Sequence, residues 1–316
     1  MSKEPLIDQL DEAIRQILQD PDAEPAFVDA SLVELLALAR DLRDLPAPDF
    51  KARLRANLER NISMSTKVKE VVFRPGFRTV TPYLLPPDAA YIDFLKDVFG
   101  AEETERTVTS PTSLHAEVKI GDSMLMLGVG SPRSMPASLL VYVKNTDETY
   151  RRALDAGAKS ISPPTDEHYG DRDAVVIDAA GNLWCIAKYL GGPSIGQEHL
   201  NTVTQCFSLK DAARFIDFLK QAFGATEIVR FDAEGVVKHA KFRIGGSAVA
   251  VGDAHGKEPR PPSMTYLYVP NVDAVYDQAI RAGATSIHPP ADQYYGDRNG
   301  GVTDEWGNQW YMATPL

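Results

Sequence analysis

Cysteine is scarce in this sequence: Cys185 and Cys206 are its only two, with neither a C-x-x-C pair nor zinc-finger spacing. That scarcity excludes a disulfide framework and a cysteine-built structural metal, and both thiols read as reduced packing residues. Basic residues are in the minority as well, 33 Lys and Arg against 44 Asp and Glu for a formal charge of −11. Such a molecule repels polyanions, so nucleic acid is not an expected partner. The first twenty residues carry carboxylates throughout and hold no long apolar run, so neither a signal peptide nor a membrane span is expected, and the cytoplasm is the expected compartment. Phosphate-binding G-x-x-x-x-G-K-[ST], the G-x-S-x-G elbow and a post-strand G-x-G-x-x-G are missing too, which leaves nucleotide hydrolysis and serine-hydrolase chemistry without support. What is present is ordinary globular composition, 44% hydrophobic over 316 residues, enough for a sizeable core in about two domains.

The clearest positive feature is an internal repeat. DAAYIDFLKDVFGA from Asp88 returns as DAARFIDFLKQAFGA from Asp211, and HAEVKIGDS from His115 returns as HAKFRIGGS from His239. The Tyr142 stretch ending DAGAKSISPP returns from Tyr268 as a stretch ending RAGATSIHPP, and YGDR at Tyr169 and Tyr295 is followed each time by D-x-x-G-N-x-W. Two homologous modules, residues 76–190 and 199–316, are therefore expected, joined by the flexible Gly191 to Gly196.

Within a module the hydrophobic period changes in a readable order. Val80 to Leu85 is an apolar run fit for a strand, and Ile92, Leu95 and Phe99 form a helical stripe that stops at Gly100. His115 to Ile120 alternates, with Ala116, Val118 and Ile120 on one side and His115, Glu117 and Lys119 on the other. Met124 to Leu127 and Leu139 to Val143 give further strands, Asp147 to Ala156 a second helix, and Ala174 to Ile177 with Leu183 to Ala187 a closing hairpin. The predicted class is α+β, with βαβββ units repeated along the chain.

This ordered set of motifs, occurring twice over about three quarters of the chain, resembles the vicinal oxygen chelate superfamily, and within it the glyoxalase and bleomycin-resistance group, especially the PhnB-like branch. The resemblance implies paired βαβββ units whose sheets curl into open barrels around a ligand cleft, with helices outside. It also implies a divalent ion held by His, Gln or Glu on the first, fourth and last strands of a module. Carried over residue by residue, those positions read Val80 or Thr81 and Thr204 or Gln205 on the first strand, Met126 and Ala250 on the fourth, and Cys185 and Tyr311 on the last. Apart from Gln205 and a Cys185 thiolate these are poor ligands, so no metal cofactor is expected.

Other site candidates follow from strand faces and loop chemistry. His115 and His239 occupy equivalent positions and point to the cleft or to solvent; with Glu117 they make the weak alternative set for a displaced divalent metal. Met124 and Met126 are expected to face the cleft, answered in the second module by Ala248 and Ala250, as Cys185 is by Tyr311. Smaller walls would leave the free volume beside the second module, with Tyr311 and Trp310 lying against a planar ligand. In the YGDR loops, Arg172 and Arg298 can hydrogen-bond an anionic or planar ligand, or lock the loop to its neighbours.

Residues 1–64 stand outside the repeat. Ile7, Leu10, Ile14, Ile17 and Leu18 share a helical face, Ser31 to Glu34 is a capping box for a second helix through Leu42, and Asp49 can cap a third carrying Phe50, Leu54 and Leu58. Such stripes would pack on the barrels, on a second chain in a homodimer, or on a partner, with Lys51, Arg53, Arg55 and Arg60 as a solvated face. The leading functional expectation is a binding protein for a small organic molecule without the usual metal. The alternatives are a metal-dependent lyase, isomerase or dioxygenase with a displaced site, and a protein-interaction module working through the N-terminal helices.

Overall fold

The computed structural model describes residues 76–167, 170–191, 201–254 and 260–316; the expected helices of residues 1–64 lie outside them. Four βαβββ units follow one another. The first holds β1 (Val80–Leu84), α1 (Ala90–Phe99), β2 (Glu102–Ser110), β3 (Ser113–Ile120) and β4 (Ser123–Val129). The second holds β5 (Ser138–Tyr142), α2 (Thr146–Asp155), β6 (Lys159–Asp166), β7 (Asp171–Ile177) and β8 (Leu183–Tyr189). The third holds β9 (Val203–Leu209), α3 (Ala212–Phe223), β10 (Thr226–Ala233), β11 (Val236–Ile244) and β12 (Ser247–Asp253). The fourth holds β13 (Met264–Tyr268), α4 (Val272–Arg281), β14 (Thr285–Asp292), β15 (Asp297–Thr303) and β16 (Gln309–Pro315). No helix among the described residues is long and apolar enough to cross a membrane.

Two strands in the first module escape the periodicity, β2 and β6. Both are outer strands, with much of each face exposed and polar, so no apolar alternation marks them. β6 also carries Pro163 and Pro164 beside register shifts, a placement that proline tolerates at an edge because the missing N–H faces no neighbour.

Each helix begins and ends where the chain chemistry allows. Asn145 and Asn271 cap α2 and α4 by accepting from the backbone N–H of Glu148 and Ala274, and α1 closes on Gly100 at φ +67°, whose N–H reaches the last carbonyls.

The strands do not pair module by module. The first sheet runs β14-β15-β16-β13-β1-β4-β3-β2 and the second β10-β11-β12-β9-β5-β8-β7-β6. The outer units one and four thus share one sheet, and the inner units two and three share the other. The hydrophobic cores nevertheless follow the modules. Ile92, Leu95 and Val98 of α1 and Ala153 of α2 bury Ala116, Val118, Leu125, Leu127, Leu139, Val141, Trp184 and Ile186. Phe215, Ile216 and Leu219 of α3 and Ala279 of α4 do the same with Ala240, Phe242, Val249, Leu267, Trp310 and Met312. Every sheet therefore has one face turned to helices and one turned away.

Two matching latches join the sheets. Asp122, in the turn after β3, donates its N–H to Thr202 Oγ1 (3.3 Å) and accepts the Thr202 N–H on Oδ1 (2.7 Å), while Val203 N–H donates to Ser123 Oγ. In the other copy Gly246 N–H donates to Thr79 Oγ1 (3.0 Å) and Val80 N–H to Ser247 Oγ (2.9 Å).

Candidate functional site

The helix-free faces are where a ligand would meet the sheets, and the exchange of units decides what stands on each. Across the first sheet one row reads Glu117, Met126, Tyr83, Met264, Gln309 and the next Thr81, Tyr266, Tyr311, Gly301. The equivalent rows of the second sheet read Lys241, Ala250, Cys206, Ser138, Leu183 and Thr204, Leu140, Cys185, Val175. His115 and His239 share the faces of Glu117 and Lys241 on β3 and β11. The strand-face expectation for Met124, Met126, Ala248, Ala250, Cys185 and Tyr311 agrees with these registers. Their grouping does not: Met124, Met126 and Tyr311 share the first sheet, and Ala248, Ala250 and Cys185 share the second. Bulky residues meet bulky ones, because the cleft-forming partner of each unit lies in the other module.

The first face is filled. Phe77, Met124, Met126, Tyr266, Tyr268 and Ala313 are buried together, with Tyr83 and Tyr311 packed against them. Phe77 meets Tyr268 edge-on at 5.5 Å. Tyr83 donates to or accepts from His115 Nδ1 at 3.2 Å, and His115 Nε2 stands 3.6 Å from Glu117 Oε1, which is only 2% exposed. Burial pushes the Tyr83 phenol up to about 12, so it stays protonated as a hydrogen-bonding group. The rings need glycine beneath them: a Cβ on Gly128 would meet Tyr83 at 2.9 Å and one on Gly301 would meet Tyr311 at 3.2 Å.

The second face has shorter side chains. Ala248 and Ala250 are buried floor, and Cys185, Cys206, Leu140, Ser138 and Val175 are each part-exposed. Burial raises both thiols, Cys206 to about 12 and Cys185 well above its ordinary value with Asp173 adding to the rise. Both thiols hold their protons in these surroundings, so neither is an activated nucleophile. His239 is an exposed residue whose imidazole is nevertheless held down to about 4, first by desolvation of the ring and second by Lys241. Because its folded value lies below its unfolded one, the neutral ring contributes stability that is present above about pH 6.5 and lost as pH falls towards 4. A proton NMR titration should therefore find His239 titrating near 4, and a midpoint at 6 or above would contradict its surroundings.

Several sequence candidates sit elsewhere. Trp310 is completely buried on the helix side, its Nε1–H donating to Asp304 Oδ2 at 2.9 Å, so it cannot lie against a ligand on the helix-free face. Its counterpart Trp184 does the same with Asp178 at 2.8 Å. The D-x-x-G-N-x-W motif is thus a core lock. Arg172 clamps Asp147 at the start of α2 with Nε and Nη2 (2.7 and 2.8 Å) and reaches Asp166; Arg298 repeats this with Asp273 and Asp292. Both guanidiniums serve the loop-locking reading, with Gly170 and Gly296 each at φ +93°. Tyr169 lies outside the described residues.

Among the described residues, the positions that the resemblance implies for a divalent ion hold no matching ligand set. Thr81, Met126 and Tyr311 stand on one helix-free face, and Thr204, Ala250 and Cys185 on the other. Gln205 lies on the opposite side of β9 from Thr204 and Cys206, donating to Ser263 Oγ at 3.0 Å. The alternative set fails on topology, since His115 and Glu117 belong to the first sheet and His239 to the second. Among the described residues no three His, Cys, Asp or Glu side chains converge to hold a metal.

Comparison with known proteins agrees with this geometry. Glyoxalase I from Zea mays superposes with a TM-score of 0.59 at 12% identity, covering 75% of this chain and 92% of that one. A putative dioxygenase from Bacillus subtilis superposes at 0.52 and 12% identity, over 74% and 84%. An uncharacterised protein of Mycobacterium tuberculosis is 33% identical over 150 residues, 40% of this chain and 88% of its own length. The family model described as Glyoxalase/Bleomycin resistance protein/Dioxygenase superfamily matches residues 88–186 and 199–312. With both segments matched, well over half of its length, the chain belongs to that superfamily.

Proposed function

We propose that this chain is a glyoxalase/bleomycin-resistance-like protein that binds a small organic molecule on the helix-free face of its second sheet, by packing and hydrogen bonding, with no chelated metal at the centre of the site. The observation that carries this is the sorting of side-chain volume: Met126, Tyr83 and Tyr311 fill the first face where Ala250, Cys206 and Cys185 stand on the second. Ligand sites are concave and mostly apolar with a few placed polar groups, and the second face has that make-up, Lys241 and Ser138 being set among Ala250, Cys206, Leu140 and Cys185. Two protonated thiols with no disulfide suit the reducing cytoplasm as its place of action.

Ala250→Leu adds three carbons to the middle of the floor, between Lys241 and Cys206. Ligands obtained by fragment screening should lose at least tenfold in affinity by calorimetry, whereas Met126→Leu, on the other sheet and nearly equal in volume, should change affinity less than twofold. Equal binding by wild type and Ala250→Leu would overturn the assignment.

A further inference from the structure

The two copies of one histidine differ in their company. His115 of β3 and His239 of β11 are equivalent, but His115 is bonded to the Tyr83 hydroxyl at 3.2 Å with Glu117 beside it. At the places of Tyr83 and Glu117 the second sheet has Cys206 and Lys241. Among the described residues, neither ring nitrogen of His239 has a hydrogen-bond partner. Its neighbour across the ladder is Phe231 of the edge strand β10, 62% exposed, where the first sheet pairs His115 with Thr107. We infer that this end of the second face binds an uncharged aromatic molecule carrying a hydrogen-bond donor, such as a small phenol, whose ring lies against Phe231 and whose donor meets His239. The inference deepens the reading of that face as the binding site and rests on it.

Strand geometry puts both side chains within reach of a ligand on that face. Directly paired residues project to the same side of a sheet, and His239 stands two residues before Lys241 on the helix-free side of β11. Arg230, the residue before Phe231, pairs with Ala240 of the helix-side core, so Phe231 projects the other way. Beside them the floor is low, because Gly252 lies on the same side of β12 as Ala250 and pairs with Ser208. A Cβ on Gly252 would come within 3.1 Å of the Lys238 carbonyl oxygen. This end and the floor over Ala250 and Cys206 are about 7 Å apart along the strands, within the span of one small molecule. Edge strands ordinarily show polar or charged side chains, so a phenylalanine exposed there is the kind of apolar surface that marks a contact. Desolvation and Lys241 keep the imidazole unprotonated at neutral pH, which leaves one nitrogen as an acceptor. A phenol offers a ring to the first group and an O–H to the second. An uncharged ligand also suits a face on which Lys241, Asp171 and Asp173 are each already engaged. The first face has neither feature, since Thr107 replaces the ring and His115 is bonded to Tyr83.

The test is an NMR titration of the full chain with p-ethylphenol and with its methyl ether p-ethylanisole, which keeps the ring and lacks the donor. Wild type should bind the phenol about fivefold more tightly than the ether, the effect of one hydrogen bond. His239→Phe keeps a ring and removes the acceptor, and should bring the two within about twofold of each other. Phe231→Ser should weaken both by about fivefold or more. Both altered residues are exposed, so the variants should fold; a melting curve checks this, and His239→Leu serves if Phe does not fold. A phenol that fails to bind wild type, an ether that binds equally well, a ratio that survives His239→Phe, or unchanged binding by Phe231→Ser overturns the inference. So does a fall in the solution mass of the full chain on Phe231→Ser, which would assign the exposed ring to a contact with a second copy. Ala250→Leu separates the two levels. If it weakens both probes while His239→Phe and Phe231→Ser bind as wild type does, the face is the site but this account of its end is wrong. If it leaves both bound as before, the reading of the face on which the inference rests has failed.

Discussion

Asp178→Ala should cost about 4 kcal/mol of folding stability, the largest single loss expected here. Its two oxygens accept from Tyr91 Oη at 2.6 Å, Trp184 Nε1 at 2.8 Å, the backbone N–H of Asn182 at 2.8 Å and that of Ala180 at 2.9 Å. Asn182, itself held by Tyr91, accepts the Ala137 N–H at 2.9 Å. One carboxylate thus ties α1, the β7–β8 turn and the start of β5 to each other. Removing it leaves an indole and a phenol buried without acceptors, each costing roughly 1–3 kcal/mol, plus the void. Asp178→Asn keeps one acceptor oxygen and should cost less, about 2 kcal/mol. Urea denaturation of the three proteins checks the order, and a loss under about 1 kcal/mol for Asp178→Ala would show that the network contributes little.

Gly245→Ala should cost about 3 kcal/mol, and here a control separates two causes. Gly245 has φ +55°, and an added Cβ would lie 2.2 Å from Thr79 Oγ1, an atom pinned by the Gly246 N–H. Gly100 also has positive φ, +67°, but nothing lies within 4 Å of its would-be Cβ. Gly100→Ala therefore measures the backbone penalty alone, about 1 kcal/mol. The excess at Gly245, about 2 kcal/mol, is the cost of prying open the latch between the sheets. Similar losses at both glycines would mean that the latch yields without resistance.

Strand faces were legible in the sequence because a period of two is written directly into alternating residues, as in Ala116, Val118 and Ile120 against His115, Glu117 and Lys119. The edge strands β2 and β6 were not, because an outer strand exposed on both sides has no apolar row to reveal it. Which strands neighbour each other was also out of reach. Alternation says that Met126 and Tyr311 point away from the helices, but only the long-range pairing of β1 with both β4 and β13 says that they share a face. That step turned an expected mixed cleft into one crowded face and one low one. The D-x-x-G-N-x-W motif misled in the opposite sense. An aromatic beside polar residues reads as a ligand platform, yet Trp184 and Trp310 are buried donors to Asp178 and Asp304. The carboxylate six residues before each Trp was the available signal. Likewise the paired Asp147 and Asp273, each just inside a helix start, were there to satisfy Arg172 and Arg298.

The most direct test of the binding site is a crystal structure of the chain with a small molecule obtained by screening. The expected result is ligand density over Ala250, Cys206, Leu140 and Cys185, within reach of Lys241. Density over Tyr83, Met126 and Tyr311 on the first sheet, with the second face empty, would contradict it.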